Sequence, residues 1–354
     1  MIRWILFLLP VFLFGQAELC FLVIDLKYND HNGVKICEIQ EGTRSSFLAS
    51  HYIFNQPDIV SKQIEAFLSQ YQKPIWATKN IWGDKYVSQL MSAKLPKITL
   101  SEPTSDFIAA GIQPLNNPES LSDYNGILIT IATQLPDPSV ITDTYPSMLV
   151  LNRAILPHVT KKDAIADYLD HEVRPQAKTY PRVYSPQLIT EILNDFTSDL
   201  LVIKPLIGSR GRGILIVTRQ SLRKTLQTIL GNPEPLRLNP DQSYNYWSVV
   251  TTSHFLIEEF IPSNPVLFDG RYFDPTIRVL FFLTKDNHYI DVHFLNAYCK
   301  LPKRGLTEIG TLTDKHKSYL HPPYFKKVDP LTRKKIEDQL RPSLINFLER
   351  ITAD

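Results

Sequence analysis

The residues best suited to chemistry lie in four pieces of the second half of this 354-residue chain. The run LVIKPLIGSRGRGILIV (201–217) puts Lys204 at the end of an apolar strand. A loop carrying Gly208, Ser209, Arg210, Gly211, Arg212 and Gly213 follows. Glycines at a hairpin tip let backbone N–H groups close over an anion, and lysine binds phosphate as a point charge. The spacing is neither GxxxxGK[ST] nor GxGxxG. Anion binding therefore stands beside a plainer reading, a solvated hairpin with Lys204 snorkelling from a strand end.

FLIEEFI (255–261) runs an apolar strand into Glu258 and Glu259, whose side chains alternate to opposite faces. DPTIRV (274–279) places Arg278 inside an otherwise apolar strand, where burial without an anion is costly. AYCKLPKRG (297–305) gathers Lys300, Lys303 and Arg304 just after a long strand. Near the N-terminus, VIDLKYNDHNGVKICEIQ (23–40) reads as a hairpin with Asn32-Gly33 at its turn. Glu38 and Gln40 are two apart and face one side, and Asp25 on the neighbouring strand lies close enough to share a hard cation with them. A surface hairpin with scattered acids is the alternative.

The elements that must position these residues alternate. Strands are expected at 21–28, 34–40, PIWAT, 126–133 and 147–152, with helices over 57–71 and 82–95. That pattern predicts an α/β layer with a largely parallel sheet. From about 156 onward, helices at TKKDAIADYLDH and SPQLITEILNDF precede the glycine hairpin, a helix at RQSLRKTLQTIL, and long strands at 254–261, 274–283 and 288–301. The tail reads as a helix with Asp329 as its N-cap and Pro330 in first position.

Taken in order, the four pieces resemble the ATP-grasp superfamily over about residues 150–305. The resemblance implies that Lys204 contacts ATP phosphates. It implies that the hairpin of Gly208, Ser209, Arg210, Gly211 and Gly213 folds over them. Glu258 and the backbone from Glu259 through Phe260 to Ile261 would hold the adenine, and Arg278 and Lys300 would neutralise the transferring phosphoryl group. Superfamily members hold Mg²⁺ with a carboxylate and a Glu-x-Asn motif, usually C-terminal to these strands. Nothing after Gly305 supplies that motif. Asp25 with Glu38-Ile39-Gln40 precedes the core instead, which resembles the circularly permuted, glutathionylspermidine synthetase-like members, with Gln40 where asparagine is usual.

The resemblance implies an α/β (α+β) fold: a two-lobed ATP-grasp nucleotide-binding core with an N-terminal Rossmann-like α/β region. The corresponding divisions are a leader at 1–17, a β-hairpin at 18–42, an α/β region at 43–155, the core at 156–325 and a C-terminal helix at 326–354. The implied activity is an ATP- and Mg²⁺-dependent ligase joining a small-molecule or peptide carboxylate to an amine or thiol through an acyl phosphate. The alternative is a degenerate, non-catalytic nucleotide- or ligand-binding protein. Gln40 favours that alternative, as does a leader that would send the chain where ATP is scarce.

Composition narrows the remaining classes. A net charge of +2, with no basic stripe interleaved with aromatics, argues against nucleic acid as a partner. MIRWILFLLPVFLFGQA has a charged start, an apolar run and small residues two apart. It reads as a secretory leader cleaved after Ala17, or else as a buried N-terminal segment, and the run is too short for a comfortable membrane span. The leader reading implies a secreted or periplasmic protein; without it the protein is expected in the cytoplasm. Cys20, Cys37 and Cys299 are scattered and odd in number, which suits small buried hydrophobes. Tyr244, Tyr246 and Trp247 either line a pocket or pack, and packing is the preferred reading.

Overall fold

The computed structural model describes residues 17–44, 47–56, 59–73, 75–78, 98–101, 126–129, 137–144, 148–158, 167–208, 211–287 and 289–353. The expected helix at 82–95, most of the one at 160–171, the leader before Ala17, and Ser209 and Arg210 of the glycine loop lie outside these residues.

The first strand, β1 (Glu18–Asn29), is buried along its whole length and carries no turn-forming residue until Asn29. At the turn, the Asn29 side-chain oxygen accepts from the backbone N–H of His31 and Asn32, and Gly33 adopts φ 65°. That combination reverses the chain into β2 (Gly33–Glu41). The hairpin does not stand alone. β1 pairs on its other side with β13 (Thr276–Asp286), which pairs with β14 (Tyr289–Lys300), and β14 with β15 (Phe325–Lys327). The outcome is a five-stranded antiparallel sheet of order β15-β14-β13-β1-β2.

Period-two alternation divides this sheet between two cores. Cys20, Leu22, Ile24 and Leu26 face one side with Val279, Phe281 and Leu283. There they meet Ile336, Leu340, Leu344 and Phe347 of the C-terminal helix (Pro330–Ile351). That helix starts as its sequence requires: the Asp329 side chain caps the Thr332 N–H, and Pro330 follows in the first turn. On the opposite face Leu19, Phe21 and Val23 pack with Leu280, Phe282 and Tyr298 against Phe47, Val60, Ile64 and Leu68. Val60, Ile64 and Leu68 belong to the helix Ile59–Leu68, and Phe47 is the N-cap of the helix Leu48–Phe54.

The N-terminal region contains the expected parallel sheet. β3 (Ile75–Thr78), β4 (Ile98–Ser101), β5 (Ile127–Ile129) and β6 (Leu149–Val150) pair in parallel, in the order β4-β3-β5-β6. Asn152, just after β6, fastens this region to the large sheet. Its N–H donates to the Leu19 carbonyl and its side-chain oxygen accepts from the Phe21 N–H at 2.7 Å.

A second antiparallel sheet, order β7-β10-β8-β9, comprises β7 (Ala177–Pro181), β8 (Leu200–Pro205), β9 (Leu215–Thr218) and β10 (His254–Glu259). One face presents Leu201, Ile203, Leu215, Val217, Phe255 and Ile257 to the helices Pro186–Asp195 and Leu222–Leu230. The fold is mixed α/β, with antiparallel sheets where the sequence places the chemistry and a parallel sheet ahead of them. Among the described residues no helix is long and apolar enough to cross a membrane.

Candidate functional site

The face of β1 that packs Leu19, Phe21 and Val23 continues into Asp25 and Lys27, and there its character changes from apolar to charged. Asp25 lies directly opposite Arg278 on β13 and opposite Glu38 on β2. Lys300, on β14, joins the same face. The Arg278 guanidinium donates from Nε and Nη2 to the two Asp25 carboxylate oxygens at 2.7 and 2.8 Å, and Lys300 Nζ donates to Oδ2 at 2.6 Å. All three side chains are buried.

Electrostatics follow from that geometry. Burial opposes ionisation of Asp25, yet Arg278 and Lys300 outweigh it and hold its carboxyl well below the usual range. Burial likewise disfavours the Arg278 cation, but Asp25 more than compensates and raises its affinity for the proton. Lys300 goes the other way. Burial and the adjacent Arg278 charge lower it, and Asp25 and Glu38 do not make up the difference.

The small sheet contributes the second ion pair. Lys204 on β8 and Glu258 on β10 share the face away from the core, two residues diagonally apart in register, and form a buried salt bridge. Burial pulls Lys204 down, but Glu258, Cys37 and Glu38 raise it overall. Those couplings place β2 of the large sheet beside Lys204 of the small one. Cys37, at the bulge in the β1–β2 pairing, feels Lys204, Glu258, Lys27 and Asp25; burial pushes its thiol up to about 11, so it stays protonated. Val202, Ile216 and Leu256 flank the ion pair on this face and belong to none of the packed cores.

The residues singled out in the sequence therefore fall into two groups. Asp25, Glu38, Lys204, Glu258, Arg278 and Lys300 come together from both ends of the chain. Gln40 sits opposite Val23 on the face of Asp25 and Glu38, two residues further from the charged end. Glu259 points the other way, as alternation requires: its carboxylate accepts from the Gln176 N–H at 2.9 Å. The backbone N–H groups of Glu259 and Phe260 donate to the carbonyls of Gln176 and Leu200, and the strand ends before Phe260 and Ile261. A base held along this segment would meet two N–H groups already in use.

The glycine loop is held by aromatic residues. Trp247 is buried and its indole N–H donates to the Gly213 carbonyl at 2.9 Å, while the Tyr246 hydroxyl donates to the Ile207 carbonyl. Arg212 lies over the Tyr246 ring. Gly211 and Gly213 have φ of 67° and 75°, and a Cβ at Gly213 would lie 2.7 Å from Tyr246 and 2.9 Å from Pro205. Tyr246 and Trp247 thus pack, as preferred, and what they pack is the loop itself, while Tyr244 both packs against the small sheet's core and lines a cavity.

Sequence reasoning passed over one cluster. Asp274, buried ahead of β13, accepts from Lys27 Nζ at 2.9 Å and from the Ser263 N–H at 2.7 Å, and His316 Nδ1 lies 2.7 Å from it. A lysine at an inward position of a buried strand was the available signal, because Lys27 has the parity of Asp25. A cavity of about 410 Å³ opens beside β9 and the helix Leu222–Leu230, lined by Lys224, Asn239, Tyr244 and Leu312 among others, and includes none of these ion pairs.

Magnesium does not fit Asp25, Glu38 and Gln40 as they stand. Both Asp25 oxygens are committed to two cations, and among the described residues no three histidine, cysteine or acidic side chains gather to hold a metal ion.

No family model matches the chain, and no curated protein matches it. Among solved structures it is similar to the D-cycloserine synthetase DcsG, at 9% identity and a TM-score of 0.34, over 79% of this chain and 82% of that one. A likeness this loose carries no argument about activity.

Proposed function

We propose that the protein is an ATP-dependent ligase of the permuted ATP-grasp type. The observation that supports this is the docking of the N-terminal hairpin. β1 enters the sheet beside β13, so Asp25 and Glu38 join Arg278 and Lys300, and Glu38 comes within electrostatic reach of Lys204. Carboxylates that precede the core in sequence take the place that a C-terminal motif would fill.

In this reading a substrate carboxylate attacks the terminal phosphorus of ATP, giving an acyl phosphate and ADP. An amine or thiol then attacks the acyl carbon and phosphate leaves. The chain's work is positioning and charge neutralisation, which dominate phosphoryl transfer. Lys204 and the glycine loop hold the phosphates, and Arg278 and Lys300 balance charge on the transferring group. The loop, pinned by Tyr246 and Trp247, keeps water from the acyl phosphate. No step is assigned to a metal ion. Cleavage after Ala17 would leave β1 whole, since it begins at the next residue, but export would favour a non-catalytic binding protein over a ligase, because ATP is scarce outside the cytoplasm.

The test traps the intermediate. The protein, ATP and pools of amino acids or dipeptides are incubated with hydroxylamine, and hydroxamate is measured. Carboxylate-dependent hydroxamate and ADP in equal amounts would support a ligase. ATP binding without either would favour the second reading, a non-catalytic nucleotide-binding protein, which the full neutralisation of Asp25 by Arg278 and Lys300 also suits.

A further inference from the structure

The carboxylate expected to meet a cation is instead bound as an anion. We infer that Arg278 and Lys300 form an oxyanion site that Asp25 fills from within, and that Asp25 thereby selects multiply charged phosphoryl ligands over simple carboxylates. This deepens the reading above and rests on it for the choice of a phosphoryl ligand.

The geometry is that of a bound substrate group. Arg278 presents Nε and Nη2 as a fork to both oxygens, the arrangement that arginine uses for carboxylate and phosphate alike, and Lys300 adds a point charge to one of them. Arg278 and Lys300 are both buried, so leaving either cation without an anion is costly. The site therefore exchanges anions and is never vacant. Lys27 on the same face has its own partner in Asp274, and Lys204 on the small sheet has Glu258. Asp25 is the group whose displacement opens two donors at once.

Selectivity follows from tethering. Asp25 is attached to the strand opposite Arg278, so its effective concentration is high. A free monocarboxylate offers the same charge without that advantage and loses. A phosphoryl group with two or more negative charges and three oxygens gains more from Arg278 and Lys300 than Asp25 does. Once displaced, Asp25 faces Glu38 across the β1–β2 pair. Two facing carboxylates attract a cation, so cation affinity rises only after an oxyanion has arrived, and linkage makes the effect reciprocal. This accounts for the poor fit of magnesium while Asp25 is held by Arg278 and Lys300.

The test uses the full chain and needs no adenine. Tripolyphosphate and acetate are titrated calorimetrically, without metal, onto the wild type and Asp25→Asn. The variant is expected to bind tripolyphosphate at least tenfold more tightly than the wild type and to gain acetate binding that the wild type lacks. Equal or weaker tripolyphosphate binding by a folded Asp25→Asn would overturn the inference. Should that variant not fold, Mn²⁺ alone is titrated onto the wild type and followed by electron paramagnetic resonance. An unchanged free-ion spectrum supports the inference, and one equivalent bound without an oxyanion overturns it. ATP binding no tighter than tripolyphosphate would instead count against the nucleotide reading and leave this inference standing.

Discussion

Asp25 and Arg278 stand opposite each other across β1 and β13, 253 residues apart in sequence, joined by hydrogen bonds of 2.7 and 2.8 Å. The pair ties the N-terminal hairpin to the second half of the chain at the point where the sheet turns from apolar to charged.

Acid should weaken this tie in a defined window. The Asp25 carboxyl is depressed in the folded state, opposed by burial and driven by Arg278 and Lys300. The unfolded chain therefore binds more protons at low pH. The stabilisation is complete above about pH 5 and is lost as pH falls through the ordinary carboxylate range of about 3.9 towards the depressed value. Urea unfolding between pH 6 and 2 should show a steeper fall for the wild type than for Asp25→Asn/Arg278→Met/Lys300→Met, which keeps the volume and removes all three charges. Equal slopes would contradict the assignment.

Breaking the Lys204–Glu258 pair should cost more than removing it. Lys204→Met leaves a buried carboxylate with no cation, a loss of about 3–5 kcal/mol, whereas Lys204→Met/Glu258→Leu should recover most of it. A double-mutant cycle in urea reads the difference. An additive double variant would mean that the two side chains do not interact in solution.

Gly213→Ala should loosen the glycine loop. The new methyl would lie 2.7 Å from Tyr246 at a φ of 75°, a conformation that alanine resists. A loss of about 1–3 kcal/mol is expected, with faster protease cleavage between β8 and β9. Wild-type stability and cleavage rate would show that the contact is not present.

Residues 1–17 and the hairpin should separate cleanly in truncations. Starting the chain at Glu18 keeps β1 and its pairing with β13, so its melting temperature should match that of the full chain. Starting after Glu41 removes an interior strand of the five-stranded sheet and should abolish folding. Circular dichroism distinguishes the two. A folded chain lacking residues 1–41 would refute the sheet order.

Local signals carried far in this chain. Alternation and the Asn-Gly turn located the first hairpin, which extends a few residues beyond the expected bounds at 18–29 and 33–41. Asp329 and Pro330 marked the start of the C-terminal helix at its residue. The expectation that Arg278 needs an anion held, but the anion is the chain's own Asp25. That partner was illegible because register between strands so far apart is set by tertiary packing, not by local spacing. The same limit hid the Asp274 cluster, whose members come from β1, the segment before β13 and the short helix Leu312–His316. Phe260 and Ile261 were read into a strand on hydrophobicity, and β10 ends at Glu259, where its paired register with β7 and β8 runs out.

The proposed nucleotide site is built from Lys204, Arg278 and Lys300, and one binding measurement tests it most directly. Thermal unfolding of the full chain is followed with and without ATP, beside Lys204→Ala. A ligand at 100 times its Kd that binds only the folded state adds about 2.7 kcal/mol. A shift of that order in the wild type, and none in the variant relative to its own ligand-free form, is the expected result. No shift in the wild type at millimolar ATP, or an equal shift in both proteins, would contradict the account.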